Sequence, residues 1–470
     1  MNFEAVIGLE IHVEMKTKSK MFSSAPVTFG EKPNTNVAPL DIAFPGSMPT
    51  VNKQAVINAI RMCSALHMSI DDELWFNRKN YFYSDLSKGY QITQQRRPIG
   101  KDGYISLGGT RFGVERLHIE EDTCKQIHKG DFTYLDYNRS GIPLLEIVSK
   151  PDIRSGEEAM RYVEEIRNIA YFLDVSDGRM SEGSLRCDVN ISLRPIGSQR
   201  LGRKVEIKNL NTLANIKTAI DFEINRQQSI LLSGGSIKQE TRRFDESIQE
   251  TVSLRTKVDT IDYKFFVEPN IAPIKLSKEF VEDAINSSNE LPEQKRNRYN
   301  KLGLSDYDIY QLLKSKDICH YFDELVNNGA SPKSAANWVI VDIQGVLNKK
   351  NLNIKEFPIE PYRLAELIQL IDDSVVFNKQ AKVIFDRMLM DKDRPKSIVA
   401  QMGVSLIGDE SELKAIVEEV LNENTKSISD YKNGKDRVVG YLVAQVMKKT
   451  NGKADPKITN KLITQMIKER

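Results

Sequence analysis

One period-two run at the start of the chain constrains the fold more than any other feature. Phe3, Ala5, Ile7, Leu9, Ile11, Val13 and Met15 share one phase, while Glu10, His12 and Glu14 share the other. Side chains alternate across a β-strand. The run therefore predicts a strand over Phe3–Met15 that buries one face and shows two carboxylates and an imidazole on the other, with Glu10 and His12 about 7 Å apart. Alone, such a strand is equally the water-facing side of an ordinary sheet.

The same theme returns further on. Leu185, Cys187, Val189, Ile191 and Leu193 alternate with Arg186, Asp188, Asn190, Ser192 and Arg194, and Val205 and Ile207 alternate with Glu206 and Lys208. Glu146 interrupts the apolar run Pro143–Val148, where an ionised carboxylate is costly unless paired or bound to a cation. Glu120-Glu121-Asp122 adds an acidic cluster whose strand phase the sequence leaves open. Carboxylates gathered from several strands repel one another unless a cation neutralises them. Oxygen-rich donors suit Mg²⁺, which also takes nucleotide phosphates. Lys79, Lys88, Arg186 and Arg194 offer charge for a phosphate or a substrate carboxylate, with a structural ion pair as the plain alternative for each. The pattern reads as a sheet floor for Mg²⁺ and ATP.

Several chemistries are disfavoured. The chain has no GxxxxGK[ST], no HExxH and no HxE with a following CxxC, which argues against P-loop, zinc-hydrolase and zinc-deaminase sites. Gly234-Gly235-Ser236 is an ordinary turn, and no serine or cysteine nucleophile system stands out, so the chain is not expected to free ammonia from glutamine by itself. The four cysteines, Cys63, Cys124, Cys187 and Cys319, are far apart, as in a reducing cytosol. No basic and apolar leader opens the chain and no apolar run nears the ~20 residues of a membrane span, so a soluble cytoplasmic protein is expected.

A length of 470 residues suggests about three domains. The first ~290 residues carry most of the glycines and the alternating runs, and read as mixed strand and helix, mostly antiparallel. From about Leu276 the sequence reads helical. Ser277 and Ser305 are N-cap candidates, Gly329 a helix end and Ser331-Pro332 a helix start. Apolar stripes at Leu364, Leu367, Ile368 and Ile371, and at Leu413, Ile416, Val417, Val420 and Leu421, are core faces. A break is expected near Gly408-Asp409-Glu410. The whole chain carries only +2, yet Lys426–Arg470 holds 11 Lys+Arg against 4 Asp+Glu, a local +7. That excess is either a solvated face or a contact for RNA phosphates.

Longer motifs carry a resemblance. They include V-I-G-L-E-I-H-V-E at Val6–Glu14, P-G-S-M-P at Pro45–Pro49, R-K-N-Y-F-Y-S-D at Arg78–Asp85 and K-G-Y-Q-I at Lys88–Ile92. R-L-H-I-E-E-D follows at Arg116–Asp122, N-R-S-G-I-P-L-L-E-I-V at Asn138–Val148 and P-D-I-R-S at Pro151–Ser155. E-G-S-L-R-C-D-V-N-I-S spans Glu182–Ser192, E-I-K-N-L-N spans Glu206–Asn211 and Q-E-T-R-R-F-D spans Gln239–Asp245. Y-K-N-G-K at Tyr431–Lys435 and G-K-A-D-P at Gly452–Pro456 close the series. Over essentially the whole chain, and in order, these resemble the B subunit of the aspartyl/glutamyl-tRNA(Asn/Gln) amidotransferase (GatB).

The resemblance implies an α+β fold. A glutamine-synthetase-like cradle with a mostly antiparallel sheet would occupy residues 1–290, an all-α helical domain 291–408, and a small α-helical YqeY-like tail that helps bind tRNA 409–470. It implies ATP and Mg²⁺ as cofactors. Its partners would be the amidase (glutaminase) subunit that frees ammonia, the small bridging subunit of the same complex, and misacylated tRNA(Gln) or tRNA(Asn). Motif match and strand facing together make Glu10, His12, Glu121 and Glu146 candidate Mg²⁺ ligands, with Asp188 a weaker one. Lys79 and Lys88 are candidates for phosphate contact or for the ammonia route, and Arg186 and Arg242 for holding phosphate or substrate carboxylate. Lys448, Lys449 and Lys453 are the tail residues expected to meet tRNA. Some family members carry paired cysteines in the stretch matching Met21–Pro45; this chain has none there, and no zinc is expected. Two other readings stay open: a free-standing ligase of the glutamine-synthetase kind acting on a small amino acid, and a non-catalytic tRNA-binding scaffold.

Overall fold

The computed structural model describes residues 2–256, 263–402, 410–432, 438–450, 454 and 456–469. The chain forms two compact units, Met1–Lys295 and Arg296–Arg470. The break expected near Gly408 lies outside the described residues.

The first unit is built on strands. In chain order they are β1 (Phe3–Glu14), β2 (Ser69–Ile70), β3 (Glu73–Leu74), β4 (Asn77–Asn80), β5 (Tyr90–Thr93), β6 (Gly100–Leu107), β7 (Thr110–Glu121) and β8 (Lys125–Lys129). They continue with β9 (Phe132–Asp136), β10 (Pro143–Ser149), β11 (Leu185–Pro195), β12 (Val205–Lys208), β13 (Glu240–Asp245), β14 (Glu250–Thr256), β15 (Phe266–Val267) and β16 (Ile274–Lys275). Nine of them make one sheet in the order β14-β13-β12-β11-β1-β10-β7-β6-β2. It is antiparallel, as expected, except where β12 and β13 run parallel. A small sheet, β15-β4-β5, lies beside it.

Three helices cover one face, α1 (Lys53–Ala65), α2 (Gly156–Phe172) and α3 (Leu213–Leu232), and α4 (Lys278–Asn286) packs on α1. Each starts on a side chain that accepts from a free backbone N–H of the first turn: Asn52, Ser155, Thr212 and Ser277. The apolar phase of β1 enters this layer. Ile7, Leu9, Ile11 and Val13 are fully buried in one cluster with Val163 and Ile166 of α2 and Ile216 and Ile220 of α3. Each such side chain contributes roughly 1.5–3 kcal/mol. The opposite phase of β1 is thereby fixed on the other face, because a one-residue slip would exchange the two sets.

The second unit contains no described strand. Ser305 and Ser315 cap the helices Asp306–Leu312 and Lys316–Asn327, and Pro332 opens Pro332–Asn337. Leu364, Leu367 and Ile368 are buried, as their spacing predicts. Helices Glu410–Glu423, Val438–Lys449 and Pro456–Glu469 share a small core of Leu413, Val417, Leu421, Leu442, Val446 and Ile463. No described helix is long and apolar enough to cross a membrane.

Candidate functional site

The register of three neighbouring strands draws the polar phase of β1 into a group. His12 on β1 pairs with Glu146 on β10, which pairs with His118 on β7. Glu10 follows two residues back on β1, and Glu120 two residues on along β7. His12 Nε2 lies 3.4 Å from Glu120 Oε1, 3.6 Å from Glu146 Oε2 and 4.0 Å from Glu10 Oε1. His118 Nε2 lies 2.8 Å from Glu146 Oε2 and 3.7 Å from Glu120 Oε2. Two overlapping sets, Glu10–His12–Glu146 and His118–Glu120–Glu146, each bring their donor atoms within 4.8 Å of one another. Glu146, His118 and Glu120 are buried, while Glu10 and His12 are half-buried at the accessible side.

The electrostatics follow from that crowding. Burial, then the charge of Glu146, raises Glu10 above the usual carboxylate range. Burial and Glu146 also push Glu120 up, but hydrogen bonds from His118 and His12 prevail and hold it at about 2. Burial opposes ionisation of Glu146 as well, and His118 keeps it well below its ordinary value. Burial would lower both imidazoles. Contacts with Glu120 and Glu146 instead raise His12 and carry His118 up to about 9. Three carboxylates thus stand around two imidazolium groups. Opposite charge is their requirement, and a hard cation meets it with oxygen donors from Glu10, Glu120 and Glu146. Ligation by an imidazole would release its proton. The donor set therefore fits Mg²⁺; Nδ1 of His118 is buried without a hydrogen-bond partner, so the ring is held through Nε2 alone.

Glu10, His12 and Glu146 come together as their strand phases require. Asp188 pairs with Glu10 across β1 and β11, but Lys208 Nζ is bonded to it at 2.5 Å and stands 3.3 Å from Glu206. Arg186 pairs with His12 and donates to Asp122 at 2.8 Å, and its buried Nε has no partner. Burial and Asp122 raise the adjacent Glu14 to about 8.

Three of the expected site residues stand apart from this group. Glu121 is absent from both sets of metal-competent groups, and Glu120 stands there instead. The reason is a β-bulge: Val148 pairs with Arg116 but Ser149 pairs with Val114, so β7 carries an extra residue opposite β10. Phe112 and Val114 are buried on one phase, Leu117 and Ile119 on the other. Phase carried forward from Phe112 would turn Glu121 to the polar face; the bulge turns His118 and Glu120 there. Lys88 is not free for phosphate. It is 7% exposed and grips both oxygens of Glu121 at 2.5 and 2.6 Å, while the backbone N–H of Ile92 donates to the same carboxylate. Arg242 lies on the helix-covered side. It pairs with the buried Ile207 in the parallel register and binds Glu240 at 2.8 Å and Glu223 of α3 at 3.6 Å.

His118 is a site residue that the strand patterns alone did not single out, although the alternation of Arg116, His118 and Glu120 with Leu117 and Ile119 carries the signal for it. Lys79 stands on β4 with its ammonium 5.0 Å from the ring centre of Tyr263 and 5.7 Å from that of Tyr81. No described carboxylate pairs with it. In the second unit, Lys448 is exposed in the last turn of Val438–Lys449, and Lys449 is bound to Glu419 at 2.9 Å and Glu423 at 2.6 Å. Lys453 lies outside the described residues.

Comparison with known proteins joins these observations. Residues 5–282 match the GatB/GatE catalytic domain and residues 320–467 a GatB domain. The chain is 48% identical over 475 residues to the B subunit of the aspartyl/glutamyl-tRNA(Asn/Gln) amidotransferase of Mesoplasma florum, covering 100% of this chain and 99% of that protein. The corresponding B subunits of Persephonella marina and Geobacillus thermodenitrificans are each 46% identical to it, over the full length of both chains.

Proposed function

The chain belongs to the GatB family of amidotransferase subunits, and from that premise we propose that it activates and amidates the side-chain carboxylate of Glu-tRNA(Gln) or Asp-tRNA(Asn), giving Gln-tRNA(Gln) or Asn-tRNA(Asn). It works in the cytoplasm with an amidase (glutaminase) subunit, which frees ammonia from glutamine, and a small bridging subunit. The sheet unit is the glutamine-synthetase-like cradle, residues 1–290; the helical domain covers 291–408 and the YqeY-like tail 409–470. The observation that carries the reading is the convergence of Glu10, His12, His118, Glu120 and Glu146 on one sheet face.

The chemistry requires such a site. Ammonia does not displace oxide from a carboxylate; transfer of the γ-phosphoryl of ATP to one carboxylate oxygen makes phosphate the leaving group. Glu10, His12, Glu120 and Glu146 would hold Mg²⁺, which would supply positive charge to the phosphates. His118 fixes Glu146 through its 2.8 Å contact, and so sets the direction of that carboxylate. Arg186 and Lys79 are assigned to orient anionic substrate: Arg186 pairs with His12 across β1 and β11, and Lys79 on β4 pairs with Gln91 of β5. No zinc enters the reading. The cysteine-free stretch is tied down instead by the buried pair Lys20–Asp41 at 2.9 Å, with Lys20 also donating to the carbonyl of Tyr137.

The test is reconstitution with the amidase and small subunits and a transamidation assay on both misacylated tRNAs. Activity that needs ATP, Mg²⁺ and misacylated tRNA is expected. ATP turnover with free glutamate alone would instead mark a free-standing ligase, and transamidation untouched by Glu146→Ala would remove the site.

A further inference from the structure

The segment Ser149–Asp152 ends β10 and opens the P-D-I-R-S motif, and the chemistry above makes no use of it. It nevertheless meets both strands that flank β10. β1 pairs with β10 as far as Glu10 with Val148, and contact resumes only at Ile7 with Ile153. In that gap the Leu9 N–H donates to the buried Ser149 hydroxyl at 2.8 Å. On the other edge, Ser149 pairs with Val114, which sets Lys150 against Gly113 of β7. The Lys150 N–H donates to the Gly113 carbonyl at 2.9 Å. An antiparallel pair joined in this way ordinarily makes the return bond as well. Here the Gly113 N–H goes instead to Asp152 Oδ2 at 2.9 Å, and the Ser149 hydroxyl takes the Lys150 carbonyl at 3.0 Å. The other oxygen of Asp152 is buried without a hydrogen-bond partner, a costly state for a carboxylate. Gly113 is what lets β7 come this near, since a Cβ there would lie 2.7 Å from Lys150 Cδ.

We infer that Asp152 and Ser149 are positioning residues of the reaction centre: by supplying acceptors where the strands offer none, they lace together the three strands that carry it. The assignment rests on the Mg²⁺ site proposed above. Glu10 and His12 come from β1, Glu146 from β10, and His118 and Glu120 from β7, so the site is only as well set as the alignment of those strands. At this point the ladder enforces no single alignment. Val148 with Arg116 and Ser149 with Val114 belong to registers that differ by one residue, and β1 and β10 are unpaired beside them. Side-chain acceptors fill the gap. Ser149 holds the amide next to Glu10 on β1, and Asp152 holds β7 at the start of its run toward His118 and Glu120. Neither residue is among the groups that could touch the metal, so each acts through the ligands.

The experiment uses the intact complex with the amidase and small subunits, stripped of Mg²⁺, with Mn²⁺ as the probe read by electron paramagnetic resonance. Asp152→Leu, similar in size and without an acceptor, should weaken Mn²⁺ binding roughly 10–100-fold. Asp152→Asn, which keeps an oxygen for the Gly113 N–H, should stay near wild type. Hydrogen exchange on the metal-free complex should show Asp152→Leu losing amide protection along β7 as far as Glu121. Glu223→Ala, which loosens the helix-covered side, should lose stability with its Mn²⁺ affinity unchanged. Unchanged Mn²⁺ affinity in Asp152→Leu, an equal loss in Asp152→Asn, or an equal loss in Glu223→Ala would each overturn the proposal. If Asp152→Leu does not fold, Ser149→Ala decides: weaker Mn²⁺ binding upholds the assignment and unchanged binding overturns it. A wild-type complex that binds no Mn²⁺ would bring down the Mg²⁺ site itself. Exchange then judges the lacing alone: increased exchange confined to residues 110–114 in Asp152→Leu overturns it, and increased exchange reaching Glu121 upholds it.

Discussion

Two polar clusters on opposite sides of the same sheet use the same acidic residue type and come out differently. On the helix-covered side, Glu223 and Glu240 are matched by Arg226 and Arg242. Glu223, fully buried, also accepts from Gln227 at 2.8 Å and Thr251 at 3.0 Å. On the other side Glu10, Glu120 and Glu146 make their closest ionic contacts with two imidazoles. The first cluster is complete in permanent charge and fastens α3 to β13 and β14. The second has protons on two histidines at its centre, which another cation can replace, while Lys208 and Arg186 act on it from its margin. An acidic group with removable partners is a site; one with permanent partners is a joint.

That contrast is most exposed to a pair of substitutions. Glu146→Ala should abolish transamidation, well beyond the roughly 10–100-fold loss typical of groups that only support a metal ligand, and should lower the thermal midpoint of Mg²⁺-free protein as well, because His118 loses the carboxylate 2.8 Å from its Nε2. Steady-state assay and melting on the same preparation check it. Glu223→Ala should behave the opposite way: stability should drop by roughly 3–5 kcal/mol because two arginines lose a buried partner, while the folded fraction keeps its turnover. Urea denaturation beside the assay reads both, and a stable but inactive Glu223→Ala protein would erase the distinction between joint and site.

Alkaline titration sharpens the contrast further. In Mg²⁺-free protein, His118 is held up to about 9 against an ordinary imidazole value near 6.5. Stability from its charge is therefore fully present below about pH 6.5 and is lost as pH rises through about 9, on the order of 3 kcal/mol. Melting from pH 6.5 to 9.5 should show that fall, and His118→Asn should shrink it, leaving the part that belongs to Glu14 and His12. The smallest effect belongs to the tail. Replacing Lys448, Lys449 and Lys453 by Ala should weaken tRNA binding several-fold and reduce the salt slope by roughly 0.7–0.9 for each lysine that meets a phosphate. Lys449, already held by Glu419 and Glu423, should contribute less than Lys448. A slope that does not move makes these lysines a solvated face.

Much of the sheet was legible because burial and alternation coincide. In β1 the apolar residues from Leu9 to Val13 are buried and Glu10, His12 and Glu14 lie on the opposite phase, as the sequence pattern requires. Glu146 was legible as a carboxylate in an apolar run. The helix starts at Ser277 and Ser305 were legible because the capping hydroxyl is a local interaction. What escaped depends on contacts between distant segments. Lys88 and Glu121 are 33 residues apart and meet only once β5 lies on the end of β7. Arg242 takes its face from a parallel pairing with β12 that no local pattern announces. The choice between Glu120 and Glu121 turned on a pairing irregularity between β7 and β10: the phase of Phe112 and Val114 points to Glu121, and that of Leu117 and Ile119 to Glu120.

That irregularity has a wider consequence. The extra residue near Glu115 acts on a strand as a frame does on a message: everything downstream is read in the other phase because of it. Losing it would leave every downstream side chain in place along the chain and still drive a histidine and a glutamate into the hydrocarbon layer while handing leucine and isoleucine to the substrate. Among variants of this protein, single-residue gaps in that strand should therefore be far rarer than substitutions there, and an alignment that slides across the position by one will name the wrong acid.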